Sequence, residues 1–481
     1  MLVDGGVLLA VFSTATVVVH ALGIAHAAHA VMNVRSSQGA IAWSISLVTF
    51  PWLVIPLYWI LGRTKFHGYT ESLRSVYTQH HKLVRQTYNE LAEFKVAPPD
   101  NLARLQILAE TFTGIPFTSG NAAELLIDGE QTYEAMLNAI ASATNYILLQ
   151  SYTVNDDRAG NTFREALIDK AKQGIRIYFL YDEFGSKKLS RSYIKSLQEN
   201  GIQVSGFRAT KGKGNRFQLN FRNHRKILVV DGEIAFVGGL NIGDEYLGKN
   251  RRLSPWRDTH MILQGPTVQT LQNTFVRDWY WANRKVLEVN WQIKANKEIN
   301  QTALVIPTGP ADRLKACNLF FVHAINQTKT RLWIASPYFV PDDSTLTALK
   351  LAAMRGVDVR IILPNHPDHL LVYLCSFSYY TEMEEIGIKL YRYKNGFMHQ
   401  KIILIDDDMA GVGTVNLDNR SFFLNFEVMC FIAESRFIQS VEKMLQVDLA
   451  ASVAIDLSEY DRKPLWFKLA VRVSRLLTPL L

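Results

Sequence analysis

The sequence predicts a duplicated α/β protein: two similar halves with one functional site between them, preceded by a two-helix membrane hairpin. Three observations predict it. A polar–aliphatic–polar motif occurs twice, at residues 224–241 and 399–416, with the same internal offsets. Strand-like and helix-like segments alternate around each copy, and their joints match. The first 62 residues hold two long apolar stretches almost free of charge.

The hairpin comes first in the chain (residues 1–62). Gly5–Met32 and Gly39–Gly62 are each long enough to cross a hydrocarbon core of about 30 Å as a helix. Only Asn33–Gln38 separates them. No Lys or Arg precedes the first stretch and a second follows at once, which is not the pattern of a cleaved signal peptide. Trp43, Trp52, Tyr58 and Trp59 are placed to anchor the second helix at the interfaces. Arg63, Lys65, Arg74, Lys82 and Arg85 follow the hairpin, against Arg35 in its loop. That imbalance predicts a multi-pass protein with the C-terminal bulk on the cytoplasmic side. His20, His26 and His29 lie on the first span, where ionisable residues are candidates for function, although neutral His near a span's end costs little.

Residues 63–117 read as a basic connector, solvated and facing the membrane. Ala97-Pro98-Pro99-Asp100 breaks it, after which Asn101–Thr111 restarts a helix. From about residue 118 the alternation begins. In the first half (118–300), Tyr146–Ser151 reads as a strand, Arg158–Gln173 as a helix, Ile175–Tyr181 as a strand and Leu189–Glu199 as a helix. Lys226–Val230 and Ile234–Val237 then read as strands. In the second half (301–458), Thr330–Ser336, Val357–Leu363, Lys401–Ile405 and Ala410–Val412 read as strands, and Ser344–Arg355 and His369–Ile386 as helices. Gln-Gly-Ile-Arg-Ile at 173–177 corresponds to Arg-Gly-Val-Asp-Val at 355–359, and Gln-Ser-Tyr-Thr-Val at 150–154 to Ser-Pro-Tyr-Phe-Val at 336–340. The last segment, 459–481, is a basic amphipathic helix. Leu465, Trp466, Leu469, Ala470, Val473, Leu476, Leu477 and Leu480 keep helical spacing, with Arg462, Lys468, Arg472 and Arg475 off the stripe. Such a helix suits the surface of an anionic membrane; the other reading is a C-terminal helix docked on the protein core.

The repeated motif carries the chemistry. The first copy reads His224-Arg-Lys226, four aliphatic residues, Asp231, six residues, then Gly238-Gly239-Leu-Asn241. The second reads His399-Gln-Lys401, four aliphatic residues, Asp406, six residues, then Gly413-Thr414-Val-Asn416. On an extended chain His and Lys two apart point the same way, so each copy offers an imidazole and an ammonium to one pocket. Gly admits close backbone approach and the Asn amide can donate. Two such His divide the work on a phosphodiester. One, neutral, attacks phosphorus; the other, protonated, supplies the leaving alkoxide with its proton. Lys226, Lys401, Asn241 and Asn416 would stabilise charge on the non-bridging oxygens. A catalytic His needs its second nitrogen fixed by an acceptor, and Asp258 and Glu427 follow the two motifs.

Composition narrows the partners. The formal charge of +8 favours anionic ones. Cys317, Cys375 and Cys430 are odd in number and without CxxC spacing, which excludes a disulfide framework and a thiolate metal site. His366-Pro-Asp-His369 lacks an obvious third ligand, so neither metal nor cofactor is expected. Lys211, Lys213, Arg216 and Arg222, with Phe217 and Phe221, form a basic run before the first motif; it suits a second anionic head group or a solvated loop.

The paired motif resembles the signature of the phospholipase D superfamily, and within it the bacterial cardiolipin synthases, over nearly the whole chain. Gly39-Ala-Ile-Ala-Trp43, Pro56-Leu-Tyr58-Trp, Asn223-His-Arg-Lys226, Gly238-Gly-Leu-Asn241, Ser336-Pro-Tyr-Phe339, His399-Gln-Lys401 and the ending Pro479-Leu-Leu carry the resemblance. It implies two phospholipase D-like α/β-sandwich halves with the active site between them. It also implies a bacterial inner-membrane location and phosphatidyl transfer between two phosphatidylglycerol molecules through a phospho-histidine, giving cardiolipin and glycerol. It makes Asp231 and Asp406 members of the catalytic motif, although both sit too far along their strands for direct contact with His. It casts Asp258 and Glu427 as the acids that orient His. The family's usual order makes His224 the nucleophile and His399 the acid; the residues alone leave these roles open. Phosphatidylglycerol and anionic membrane are the expected partners, not nucleic acid. The alternatives are a membrane-bound phospholipase D or other phosphatidyltransferase, and a membrane-tethered nuclease.

Overall fold

A computed structural model of the chain describes residues 5–34, 36–62, 66–73, 90–211, 220–250 and 252–481. The positive cluster on which the predicted sidedness rests, Arg63, Lys65, Arg74, Lys82 and Arg85, lies outside the described residues, as do Arg35, Lys213, Arg216 and Phe217. The chain forms two compact units, Met1–Gly68 with Ala209–Phe221, and Tyr69–Arg208 with Arg222–Leu481.

Among the described residues the first unit contains three helices. Gly5–Asn33 is continuous, and its Leu9–Asn33 part is, among the described residues, the one helix long and apolar enough to cross a membrane. The second predicted span is not one helix. It is Ser37–Thr49 followed by Pro51–Leu61, of 13 and 11 residues. The break has a cause. Pro51 lacks an N–H and its ring pushes Phe50 out of helical conformation, at φ −130° and ψ 55°. Both shorter helices pack on the first around Ala27, Ala30, Leu47, Val54 and Tyr58. Gly23 permits this approach: a Cβ there would stand 2.4 Å from the Leu47 carbonyl oxygen. Two histidines of the first helix join the helices. His26 Nε2 accepts from Trp59 Nε1 at 2.8 Å, and His29 Nδ1 pairs with the Tyr58 hydroxyl at 2.7 Å. His20 Nδ1 donates to Thr16 O at 2.8 Å, inside its own helix.

The second unit is built on one long sheet, and its order shows the duplication. From the middle outward, the first-half strands run Thr118–Ile127, Thr259–Gln264, Ile234–Gly238, Ile227–Val230, Tyr146–Ser151, Arg176–Asp182 and Gln203–Phe207. The second-half strands run Gln301–Thr308, Asn425–Ile432, Met409–Gly413, Ile402–Ile405, Arg331–Ala335, Asp358–Pro364 and Lys389–Tyr393, with Ser452–Ala454 at the edge. The halves join where Thr118–Ile127 pairs antiparallel with Gln301–Thr308. Each motif strand, Ile227–Val230 or Ile402–Ile405, is central and wholly buried, as four aliphatic residues between polar ends require.

The observed register corrects one sequence joint. Gln150 pairs with Ile227 and Ala335 with Ile402, the first residues of the two motif strands. Residue 150 is therefore the counterpart of 335, not 336, and Ser151 matches Ser336. Both serine hydroxyls donate to the carbonyl two residues on, at 2.9 Å. Tyr152 and Tyr338 are thus one position out of register, and a one-residue shift reverses the face of every side chain. The connector also differs from its reading as a solvated link. Its helix, Ala103–Thr113, turns Leu105 and Ala109 inward with Leu102, Ile115 and Phe117, and joins the second-half core around Phe320 and Ile325. Those residues keep helical spacing on one face, which is the pattern of a packed helix.

Candidate active site

Two short crossovers bring the motifs together. Arg222–Asn223 lies parallel to the start of Asn425–Ile432, and Phe397–Met398 lies parallel to Trp256–Arg257. Each thus sets a motif histidine beside the other half's acidic strand. The His224 amide donates to Phe426 O at 2.9 Å, and the His399 amide to Arg257 O at 2.8 Å.

The acids are crossed in consequence. His224 Nδ1 meets Glu427 Oε1 and Oε2 at 3.0 and 2.9 Å, and His399 Nδ1 meets Asp258 Oδ2 at 2.7 Å. Each imidazole is held by the carboxylate that follows the opposite motif. A carboxylate on Nδ1 keeps the proton there and leaves the Nε2 lone pair to face a substrate. Lys226 Nζ donates to the carbonyl of His224 at 2.6 Å, and Lys401 Nζ to that of His399, so each ammonium stays beside its own imidazole with further N–H donors to offer.

The acids differ in support. Glu427 is fully buried and also accepts from the Thr414 hydroxyl, from the Ser421 hydroxyl at 2.9 Å and from Asn425 Nδ2 at 3.1 Å. Burial opposes its charge, but the adjacent His224 and these donors outweigh it and hold the carboxyl below its ordinary range. Asp258 has the Thr259 amide at 2.8 Å and Trp256 Nε1 at 3.3 Å, and burial pushes it up. The second motif's Gly-Thr variation explains part of this. Gly239 stands where a Cβ would fall 1.9 Å from Asp258 Oδ1, whereas Thr414 bonds Glu427 with its side chain. Burial lowers both imidazoles, His224 to about 4 and His399 well below its usual value. Burial also lowers both ammoniums, Lys401 to about 8 and Lys226 well below its ordinary range. Two buried imidazoles beside two buried ammonium groups form a cluster that an anion completes.

Asn241 is already engaged: Oδ1 accepts from the Thr153 amide at 3.0 Å and Nδ2 donates to the Tyr246 hydroxyl at 2.9 Å, leaving one amide hydrogen. The Asn416 amide nitrogen of the backbone donates to Ser421 Oγ at 3.1 Å, and its buried side-chain oxygen has no hydrogen-bond partner among the described residues. Asp231 and Asp406 lie at the far ends of the motif strands, in left-handed conformation at φ 56° and 49°. Asp231 accepts from the amides of Thr144, Asn145 and Tyr146, and Asp406 from those of Lys329, Thr330 and Arg331. Each caps the strand beside its motif strand and so fixes the register that carries His and Lys.

Several residues of the site were not singled out from sequence. Arg225 bonds both oxygens of Asp278 at 2.8 Å and donates to Glu427 O at 2.9 Å. Asp278 also holds Asn223 and Gln150. In the other half Asp448 takes Arg257 Nε at 2.7 Å and Gln400 Nε2 at 3.1 Å. The middle residues of His-Arg-Lys and His-Gln-Lys are thus tied to an acid on the helix after each orienting carboxylate. The signal was an acid on the buried face of both helices, Pro266–Asn283 and Ser435–Ala450. The Tyr152 ring packs edge-on to His224 at 5.0 Å, and the Trp256 ring lies 5.0 Å from His399. His366 and His369 gain no third ligand: among the described residues no group of three or more His, Cys, Asp or Glu side chains is placed to hold a metal.

Fold and geometry define a class: duplicated α/β proteins whose halves each bring a His–Lys pair to one site, the phospholipase D type. Residues 136–279 and 321–449 match the family described as cardiolipin synthase, PLD-like domain. The chain is 43% identical to cardiolipin synthase A of Pseudomonas aeruginosa over 96% of its own length and 95% of that protein's. It is 41% identical to cardiolipin synthase A of Pseudomonas fluorescens, over 98% of each chain. Among solved structures, phosphatidylserine synthase of Haemophilus influenzae shares the fold, with a TM-score of 0.58 and 15% identity over 79% of this chain and all of that one. The chain belongs to the cardiolipin synthase family of phospholipase D-like proteins.

Proposed function

We propose that the chain is a membrane-associated phosphatidyltransferase that joins two phosphatidylglycerol molecules into cardiolipin and releases glycerol. The crossed pairing of each histidine with the other half's carboxylate carries the reading, because it gives both imidazoles the tautomer that exposes Nε2. His224 Nε2 attacks the phosphorus of the first lipid. The bond from phosphorus to the glycerol oxygen breaks as His399 supplies a proton, and glycerol leaves. The 3′-hydroxyl of the second lipid's glycerol then attacks phosphorus and gives its proton to His399. The bond to His224 breaks and cardiolipin forms. The phosphodiester's own negative charge opposes the burial that lowers the His399 pKa, so substrate binding favours the proton needed for the first step. Lys226, Lys401, the remaining amide hydrogen of Asn241, and Asn416 meet the non-bridging oxygens. The Glu427 side has the firmer anion, which suits the histidine that bears phosphate and supports His224 as the nucleophile.

Residues 118–300 and 301–458 act as the two halves of this site. Residues 1–62 form the membrane anchor, with Leu9–Asn33 as the helix long enough to span, and the catalytic residues act on the cytoplasmic side of the inner membrane. The anchor's outward apolar residues, such as Leu9, Phe12, Leu22 and Leu53, support a place in lipid. The helix Leu465–Arg475 lies on the membrane surface: it turns Leu465, Trp466, Leu469 and Val473 outward, with Arg472 beside them. Holding the site at a lipid surface concentrates donor and acceptor and disfavours water as acceptor.

The test uses purified protein in phosphatidylglycerol micelles with a chelator present, with mass spectrometry of lipids and an assay for glycerol. Cardiolipin and glycerol in equal amounts, lost in His224→Ala and His399→Ala, is the expected result. Phosphatidic acid without cardiolipin would make water the acceptor. Activity abolished by the chelator and restored by metal would overturn the metal-free mechanism.

A further inference from the structure

The end of the chain reaches the active-site scaffold by a path that the transfer chemistry does not require. After the helix Leu465–Arg475, residues 478–480 form one turn of 3₁₀ helix. The tail then meets the five-residue helix Asn419–Phe423. The Arg420 amide donates to Leu481 O at 2.9 Å, and Arg420 Nη1 donates to Leu480 O at 3.1 Å. The next residue of that short helix is Ser421. Its hydroxyl donates to Glu427 Oε1 at 2.9 Å and accepts from the Asn416 amide at 3.1 Å, while its own amide donates to the Asp418 cap at 2.7 Å. Glu427 holds His224. Four consecutive links therefore run from the tail to one catalytic imidazole: Leu480 and Leu481, Arg420, Ser421, Glu427.

A helix of five residues is too short to hold its own geometry, since one turn costs more conformational entropy than its few hydrogen bonds return. Asp418 caps the front of this one. The tail takes up the Arg420 amide, among the first N–H groups that have no partner inside the helix. The tail is itself anchored. Thr478 Oγ1 lies 3.5 Å from Cys375 Sγ and from the Tyr379 hydroxyl, and the Arg475 guanidinium sits over the Tyr379 ring at 5.2 Å. Among the described residues the His399 side has no such attachment, and its acid, Asp258, accepts from its neighbours Thr259 and Trp256 and from no hydroxyl.

We infer that residues Pro479–Leu481 are a positioning strap for the His224 half of the site, acting through Arg420 and Ser421 on Glu427. The inference rests on the phosphatidyl-transfer reading above. The strap touches no substrate. Its effect is on the orientation of His224, so its loss lowers turnover and leaves lipid binding in place.

The experiment is a double-mutant cycle on the otherwise full chain, with cardiolipin formation from phosphatidylglycerol micelles as the assay. The four proteins are wild type, a deletion of Pro479–Leu481, Ser421→Ala, and the two changes combined. The deletion is expected to lower kcat roughly tenfold with KM changed less than about twofold, and to cost less than about twofold more when Ser421→Ala is already present. Multiplicative effects, or a deletion that raises KM at constant kcat, would overturn the strap. Should the deletion not yield folded protein, Arg420→Lys replaces it in the cycle, since it shortens the reach to Leu480 O and keeps the charge. A wild type that makes no cardiolipin refutes the proposed function itself, whereas an active wild type with an uncoupled cycle refutes only the strap.

Discussion

Replacing Glu427 by Gln tests the crossed pairing most directly. The change is nearly isosteric and removes one charge. In the native site the two carboxylate oxygens serve His224 Nδ1, Thr414, Ser421 and Asn425, all of them donors. A glutamine offers one acceptor oxygen and one NH2 group, so in either orientation an N–H faces donors. If the NH2 faces His224, Nδ1 must accept and the proton moves to Nε2, the atom that should attack. Loss of one charge-assisted hydrogen bond costs about 1.5–3 kcal/mol, or roughly 10- to 150-fold in rate at 1.4 kcal/mol per decade. Scarcity of the attacking tautomer adds roughly another tenfold or more. The expected result is a fall in kcat of about 10²- to 10³-fold, with KM for phosphatidylglycerol little changed. Initial rates of cardiolipin formation measure it, and a thermal melt of the same preparation checks the fold. A folded Glu427→Gln protein within fivefold of wild-type kcat would refute the argument that Glu427 orients His224.

Three further outcomes follow from the geometry. Gly239→Ala places a Cβ at 1.9 Å from Asp258 Oδ1, so it should displace that carboxylate from His399 and lower kcat at least tenfold; near-normal turnover would show that Asp258 tolerates the shift. Buried His224 has its pKa lowered to about 4 against 6.5 when unfolded. The unfolded chain therefore binds more protons between those values, and stability falls as pH drops below 6.5; at pH 5 this one group should cost about 2 kcal/mol. Denaturant midpoints at pH 7 and pH 5 should show the loss, and His224→Gln should lessen it. Trp466→Ala with Leu469→Ala removes large side chains from an outward face; each is worth about 1–2 kcal/mol of burial in lipid, so co-sedimentation with anionic vesicles of the protein lacking residues 1–62 should weaken at least tenfold, and unchanged binding would remove that helix from the membrane.

What was legible in the sequence was what repeats. The motif strands, their flanking helices and the pocket residues His224, Lys226, His399 and Lys401 are set by patterns of period two and 3.6 and by duplicated spacing, all local properties of the chain. Asp258 and Glu427 were visible as downstream acids. Which histidine each would meet was not, because that depends on two-residue strands pairing across 203 positions of sequence in one case and 141 in the other. Asp278 and Asp448 stayed hidden for a related reason: one buried acid on an amphipathic helix has no local signature, and only its partners Arg225 and Arg257 reveal it. The second span misled because its composition is uniformly apolar, and apolarity sets length while Pro51 sets where the helix stops. In the connector the Ala97-Pro98-Pro99-Asp100 breaker masks the short inward stripe of the helix that follows.

The crossed acids bear on how such a chain could be divided. Cut between residues 300 and 301, the first fragment keeps His224 but loses Glu427, and the second keeps His399 but loses Asp258. Neither imidazole would then hold its tautomer, so neither fragment could act alone at any concentration of lipid. Brought together, each fragment restores the other. Activity would rise with the second power of fragment concentration until the two were saturated. The protein is in this sense a permanent dimer of its own halves, with the peptide link supplying the local concentration that two separate chains would have to supply by association.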